Sequence, residues 1–242
     1  MRLALRHAWA MTVELLRYPA YLVPTLILPS VFFLFFVSPA PRHDASVRMA
    51  TFAGFAVIGV AFFQFGVGIA IDRASPWEAY LRTLPVGPSV RLVARLLSAT
   101  VFAGAAATFL VVTAVATTAV SLPASRWAGL AVALLAGVIP FAFLGIALGY
   151  WAPARGALPI ANLLYLVMSY VGGLWILPSR LPAAVEAISG FLPTRALSDG
   201  LAATARGAPV AWESWGALAS FAALFAGVAV AGYRRDEGRR FS

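Results

Sequence analysis

The sequence predicts an all-α, polytopic integral membrane protein, and three observations carry that prediction. Of 242 residues, 62% are apolar and only 11% charged, with a mean hydropathy of +0.87, whereas soluble domains carry about 25% charged residues. Six stretches are nearly uncharged and near the ~20 residues that a helix needs to cross ~30 Å of hydrocarbon. The arginines, finally, are unevenly shared among the segments that join those stretches. The formal charge of +9 would suggest nucleic acid in a soluble protein. Here its distribution reads as topology, and no nucleic-acid partner is expected.

Residues 1–17 read as an interfacial helix. At 100° per residue, Ala4, Leu5, Ala8, Trp9, Met11, Leu15 and Leu16 share one arc, and Arg2, Arg6, His7, Glu14 and Arg17 the other. Such a helix suits the headgroup layer, with lipid as its partner. The first hydrophobic run follows Glu14 and Arg17 and is too long for a signal-peptide core, so it is expected to stay as a span.

The spans are placed at Tyr18 to Val37, Met49 to Ile71, Leu96 to Val120, Ala128 to Trp151, Leu158 to Leu177, and Trp212 to Tyr233. All 242 residues then form one transmembrane domain. With both termini on the cytoplasmic side, twelve of the eighteen arginines fall in inner segments. Arg42, Arg48, Arg126, Arg180, Arg195 and Arg206 fall outside, a positive-inside bias. Pro24, Pro29, Pro140 and Pro159 lie within spans, where neighbouring helices must satisfy the freed carbonyls, so the spans are expected to pack as a bundle.

Residues 72–95 break the apolar pattern as a charged, proline-bracketed inner segment. Ser75-Pro76-Trp77-Glu78 reads as a helix start: serine as N-cap, proline first, glutamate closing a capping box. Leu84-Pro85 ends it. Trp77, Tyr80, Leu81 and Leu84 share one face, while Glu78 and Arg82 form an i,i+4 pair on the flank. So short a helix cannot hold itself in water, and its aromatic face must dock on something. Headgroups, the chain's own helices and a groove on a soluble subunit all fit that face.

The layout resembles that of the type-2 ABC exporter permeases (ABC-2 type), among them antibiotic-resistance and lipid-linked polysaccharide exporters. Those proteins have an amino-terminal amphipathic helix, six spans, and an inter-span segment reading approximately E-R-E-x-G-T-x-E-x-L-R-T-L-P-V. The match here runs through Asp72, Arg73, Glu78, Tyr80, Leu81, Arg82, Thr83, Leu84, Pro85 and Val86. It departs at Ala74-Ser75-Pro76-Trp77, where the family usually has an acidic residue and a Gly-Thr pair.

The resemblance implies that this segment is a coupling helix seated in a separate ATP-binding cassette ATPase. Asp72, Arg73, Trp77, Glu78, Tyr80, Leu81, Arg82 and Leu84 would carry the coupling. ATP and Mg would sit on that partner, with no cofactor bound by this chain, and a second copy or a sister permease would complete the pore. The location implied is the inner (plasma) membrane. In agreement, the sequence has no G-x-x-x-x-G-K-[ST] phosphate loop and no lysine to make one.

On the outer side, Leu181 to Ser189 and Thr194 to Ala205 read as short amphipathic helices closed by Gly207. Phe191, Leu192, Leu197 and Leu201 need burial. The resemblance implies that this region, residues 178–211, re-enters the outer leaflet and lids the exit.

Catalytic and metal chemistry have no residues to work with inside the membrane. There is no cysteine, and His7 and His43 fall on opposite sides. No Asp, Glu, His or Arg lies deep in a predicted span, which counts against an ion-coupled transporter. Gln64, Asn162, Tyr165 and Tyr170 are candidate substrate-path residues, although such polar groups more often join helices. The expected function is a permease subunit exporting an amphipathic or lipid-like substrate. A secondary transporter independent of ATP, or a membrane accessory subunit that transports nothing, stands as the alternative.

Overall fold

A computed structural model describes residues 2–37, 44–76 and 88–238. Among them the chain is helical, with no strand. The amino-terminal helix α1 (Arg2–Leu16) is followed by α2 (Pro19–Val37). The second span is a continuous helical rod made of α3 (Ala45–Ala61), a π-turn (Phe62–Val67) and α4 (Gly68–Ala74). Then come α5 (Pro88–Thr117), α6 (Ala124–Trp151) and α7 (Ala154–Val171). The short α8 (Ala183–Ser189) and α9 (Pro193–Arg206) precede the last span, α10 (Trp212–Gly238). Six of these helical rods are long and apolar enough to cross a membrane.

Composition decides which rod is central. In α3 every residue from Val47 to Ala61 is buried, with Phe52, Phe55 and Phe62 fully enclosed. Alanines and glycines between those rings let α2, α5, α6, α7 and α9 close around it. Gly54, for example, leaves room for the Leu201 side chain of α9, which a Cβ there would meet at 2.7 Å. The outer rods α2, α5 and α10 bury one stripe and turn large apolar residues outward, such as Phe35, Val112 and Leu224. That inverted surface is what lipid or a second membrane subunit requires.

Pro24, Pro29, Pro140 and Pro159 all lie inside unbroken helices. The π-turn, by contrast, has no proline and no sequence signal of its own. It forms where the central rod meets α6 at Gly145 and Gly149. A Cβ on Gly145 would stand 2.8 Å from the Ala61 carbonyl oxygen, and one on Gly149 would stand 2.7 Å from Ile69 Cβ. The G-x-x-x-G pattern is therefore a backbone contact surface.

Two details add to the sequence reading. Helix α1 packs on α5, and its buried stripe is Ala4, Ala8 and Thr12, with Thr12 Oγ1 donating to the Ala8 carbonyl at 2.7 Å. Small residues win that face because they allow close approach. Leu5, Trp9 and Leu16 of the expected apolar arc stay exposed. On the other side of the bundle, Leu197 and Leu201 are buried within the protein, and Phe191 is 80% exposed. It sits in the turn between α8 and α9, where the described residues leave it uncovered.

Candidate coupling site at the charged end of the bundle

The charged segment leaves the bundle at the end of α4 and returns at the start of α5. Its root at Asp72 and Arg73 is described; Trp77, Glu78, Tyr80, Leu81, Arg82 and Leu84, with the helix expected there, lie outside the described residues. Ser75 is extended (φ −81°, ψ 136°), the backbone an N-cap residue adopts, and its N–H donates to the Asp72 carbonyl at 2.9 Å.

Arg73 is heavily committed at this end. Its Nε donates to Asp236 Oδ1 at 3.0 Å, near the end of α10. Its Nη1 donates to the carbonyls of Gly149 and Tyr150 at 2.8 and 2.9 Å, and its guanidinium lies 5.5 Å from the Tyr150 ring centre. Those carbonyls belong to the last turn of α6, where no intrahelical donor remains and the helix dipole is negative. One cation thus joins three helix ends. Asp236 is 8% exposed and Arg73 mostly covered, so the pair is largely out of water. Beside it, Arg235 lies 4.8 Å over the Trp151 ring, and Trp151 Nε1 donates to the Val228 carbonyl at 3.1 Å.

Asp72 turns the other way. Its Oδ2 accepts from Arg95 Nη2 on α5, and Arg95 Nη1 donates to the Gln64 carbonyl in the π-turn at 2.6 Å. The segment between residues 76 and 88 therefore hangs from two arginine-centred contacts. One leads to α6 and α10, the other to α5 and the π-turn.

Within the bundle, two of the polar residues singled out from the sequence hold helices together. Gln64 Nε2 donates to the Tyr21 hydroxyl at 2.9 Å, joining the second span to the first. Tyr165 donates to the Phe55 carbonyl at 3.0 Å and stacks on the Phe55 ring at 4.5 Å. Asn162 and Tyr170 are half-buried on α7, and Tyr170 approaches Trp175 with ring centres 6.3 Å apart.

Sequence reasoning missed Asp236 and Arg95 as partners of the site, and it missed buried Arg48, which donates to the Phe36 carbonyl at 3.1 Å at the opposite end. Asp236 stood in a run of charges that reads as a solvated tail. Its role depends on α10 lying beside α6, which no local pattern carries.

At the opposite end of the bundle, α9 starts at Pro193 and ends at Gly207 in the left-handed conformation (φ 73°). Arg126 lies across that glycine and donates to the Ala205 carbonyl at 3.3 Å. Ser198 and Thr194 donate to the carbonyls of Gly173 and Met168 at 2.9 and 2.7 Å, so α9 is fastened to the end of α7.

The family profile described as "ABC-2 type transporter" matches residues 6–205. The chain is also similar to the protein named "Putative transport permease YvfS" of Bacillus subtilis (strain 168). The two are 23% identical over 218 residues, 88% of this chain and 89% of that protein. No solved structure is significantly similar. With its profile spanning most of the chain and six apolar helices, one of them a buried central rod, this multi-pass membrane protein belongs to the ABC-2 type transporter family, as a transport permease.

Proposed function

We propose that this chain is the membrane subunit of an exporter driven by a separate ATP-binding cassette ATPase, which docks on the segment between Ala74 and Pro88. Both termini then face the cytoplasm, and the membrane is the inner (plasma) membrane. A second copy or a sister permease completes the transport path. The observation that supports this reading best is the double anchorage of the segment: Arg73 to Asp236 and the end of α6, Arg95 to Asp72 and the π-turn. A segment whose root is tied in this way can transmit force to four spans, which a slack loop cannot. ATP and Mg belong to the partner.

The cargo class is amphipathic or lipid-like. In support, Gln64 and Tyr165 are engaged in helix contacts, and large apolar side chains face outward on α2, α5 and α10. Helices α8 and α9 act as the outer lid, with Leu197 and Leu201 holding α9 down and Phe191 and Leu192 at the turn that enters the leaflet.

The test is purification of the chain with and without a candidate ATP-binding cassette ATPase from the same cell. The chain alone shows no ATP binding at micromolar nucleotide, and the complex hydrolyses ATP. Nucleotide binding by the isolated chain, or failure of the ATPase to co-purify, would sink the proposal.

A further inference from the structure

We propose that Arg95 is a positioning residue for the coupling movement, a strap whose single guanidinium holds both the root of the segment and the π-turn of the second span. This rests on the ATP-coupled reading above and extends it to the part of the bundle that moves.

The backbone of the π-turn supplies the reason. In an α-helix the Gly68 N–H would donate to the Gln64 carbonyl four residues earlier. Here it goes to the carbonyls of Phe63 and Phe65 instead, so the Gln64 oxygen is passed over. Arg95 Nη1 takes up that oxygen at 2.6 Å, while Nη2 of the same group binds Asp72. The Arg95 side chain is only 13% exposed, and it reaches the carbonyl because Gly68 has no Cβ; one placed there would fall on Nη1. The Gln64 side chain is meanwhile held by Tyr21, and the far side of the turn is pressed by Gly145 and Gly149.

The consequence is mechanical. A push that moves Asp72 relative to α5 must either break its pair with Arg95 or draw the guanidinium off the Gln64 carbonyl. Once that carbonyl loses its donor, Gly68 N–H can return to it, and the π-turn closes to α-helix. Closure shifts α4 by one residue, about 100° around the rod axis. Arg73 lies on the same α4, so this rotation must also release its contacts to α6 and α10. The strap converts a small displacement of the segment into a rotation within the second span.

The chain has no cysteine, so spin labels can be placed at will. Ile71 on α4 and Val101 on α5 both point outward. Their label-to-label distance is measured in nanodiscs of phosphatidylethanolamine and phosphatidylglycerol, with the partner ATPase, before and after ATP, Mg and vanadate. The wild-type background shows a nucleotide-dependent shift. Arg95→Met keeps the ATPase in a pull-down but loses the shift, and Arg95→Lys regains part of it. Gly68→Ala loses the shift with every charge intact. The swap Asp72→Arg with Arg95→Asp restores the ion pair, yet aspartate cannot donate to a carbonyl, so the shift stays lost.

An undiminished shift in Arg95→Met, or rescue by the swap, overturns the strap while leaving ATPase coupling standing. Failure of the wild-type chain to hold the ATPase overturns the coupling reading and the strap with it.

Discussion

Arg73 shows how much one residue can carry when three helix ends converge on it. Replacing it by methionine removes one guanidinium from mostly buried Asp236 and frees two carbonyls at the end of α6. Removing one partner of a buried pair costs about 3–5 kcal/mol, and this pair, about a fifth exposed on the arginine side, should fall at or below the low end. Thermal unfolding in detergent should therefore show a clearly lowered midpoint for Arg73→Met. An unchanged midpoint would mean that the contact contributes no stability. Glycines offer a sharper contrast. Gly149→Ala places a methyl 2.7 Å from Ile69 Cβ and 2.8 Å from the Phe65 carbonyl oxygen, atoms that cannot swing away. A cost of about 1–3 kcal/mol is expected. Gly104 on α5 has nothing within 4 Å of its missing Cβ, so Gly104→Ala should be neutral or stabilise by up to ~1 kcal/mol. Equal melting shifts for the two alanine variants would contradict the packing described.

At the scale of elements, the six spans were legible because hydropathy is a signal carried along the chain. Observed helix bounds differ from the expected ones mainly by extending past the apolar core into flanking polar turns, as at Ala45–Ala61 and Pro88–Thr117. What the sequence could not carry is contact across the fold. Arg73 and Asp236 are 163 positions apart, and only the adjacency of α4, α6 and α10 joins them. The π-turn is similar: it arises from two glycine-bearing rods pressed together, and its own residues read as ordinary span. In α1 the sequence placed Ala4 and Ala8 on the apolar arc, but nothing in it signalled that Thr12 would join them against α5. The outer helices give a prediction at this scale. If the turn between α8 and α9 enters the leaflet, a cysteine at Phe191 should react far more slowly with a membrane-impermeant maleimide than one at exposed Glu186. Equal rates would show a water-facing loop and remove the lid from the account.

For the whole molecule, the architecture is a central rod enclosed by α2, α5, α6, α7 and α9, with α10 packed on α6 and α9, arginine-centred contacts at one end and short fastened helices at the other. Coupling requires that the segment between those contacts be gripped by something outside the bundle. Leu81 tests that grip most directly, because the sequence places it with Trp77, Tyr80 and Leu84 on one helical face. Seated in a groove of the ATPase, Leu81→Asp would bury an unpaired carboxylate at a cost of several kcal/mol. Since 1.4 kcal/mol is tenfold in affinity, binding should fall by about two orders of magnitude or more. The measurement is a pull-down of the partner ATPase with wild-type and Leu81→Asp protein in matched detergent, with membrane yield as the control. Normal membrane yield with loss of the ATPase is the predicted result; full retention of the ATPase by Leu81→Asp would contradict the assignment of this segment as the coupling element.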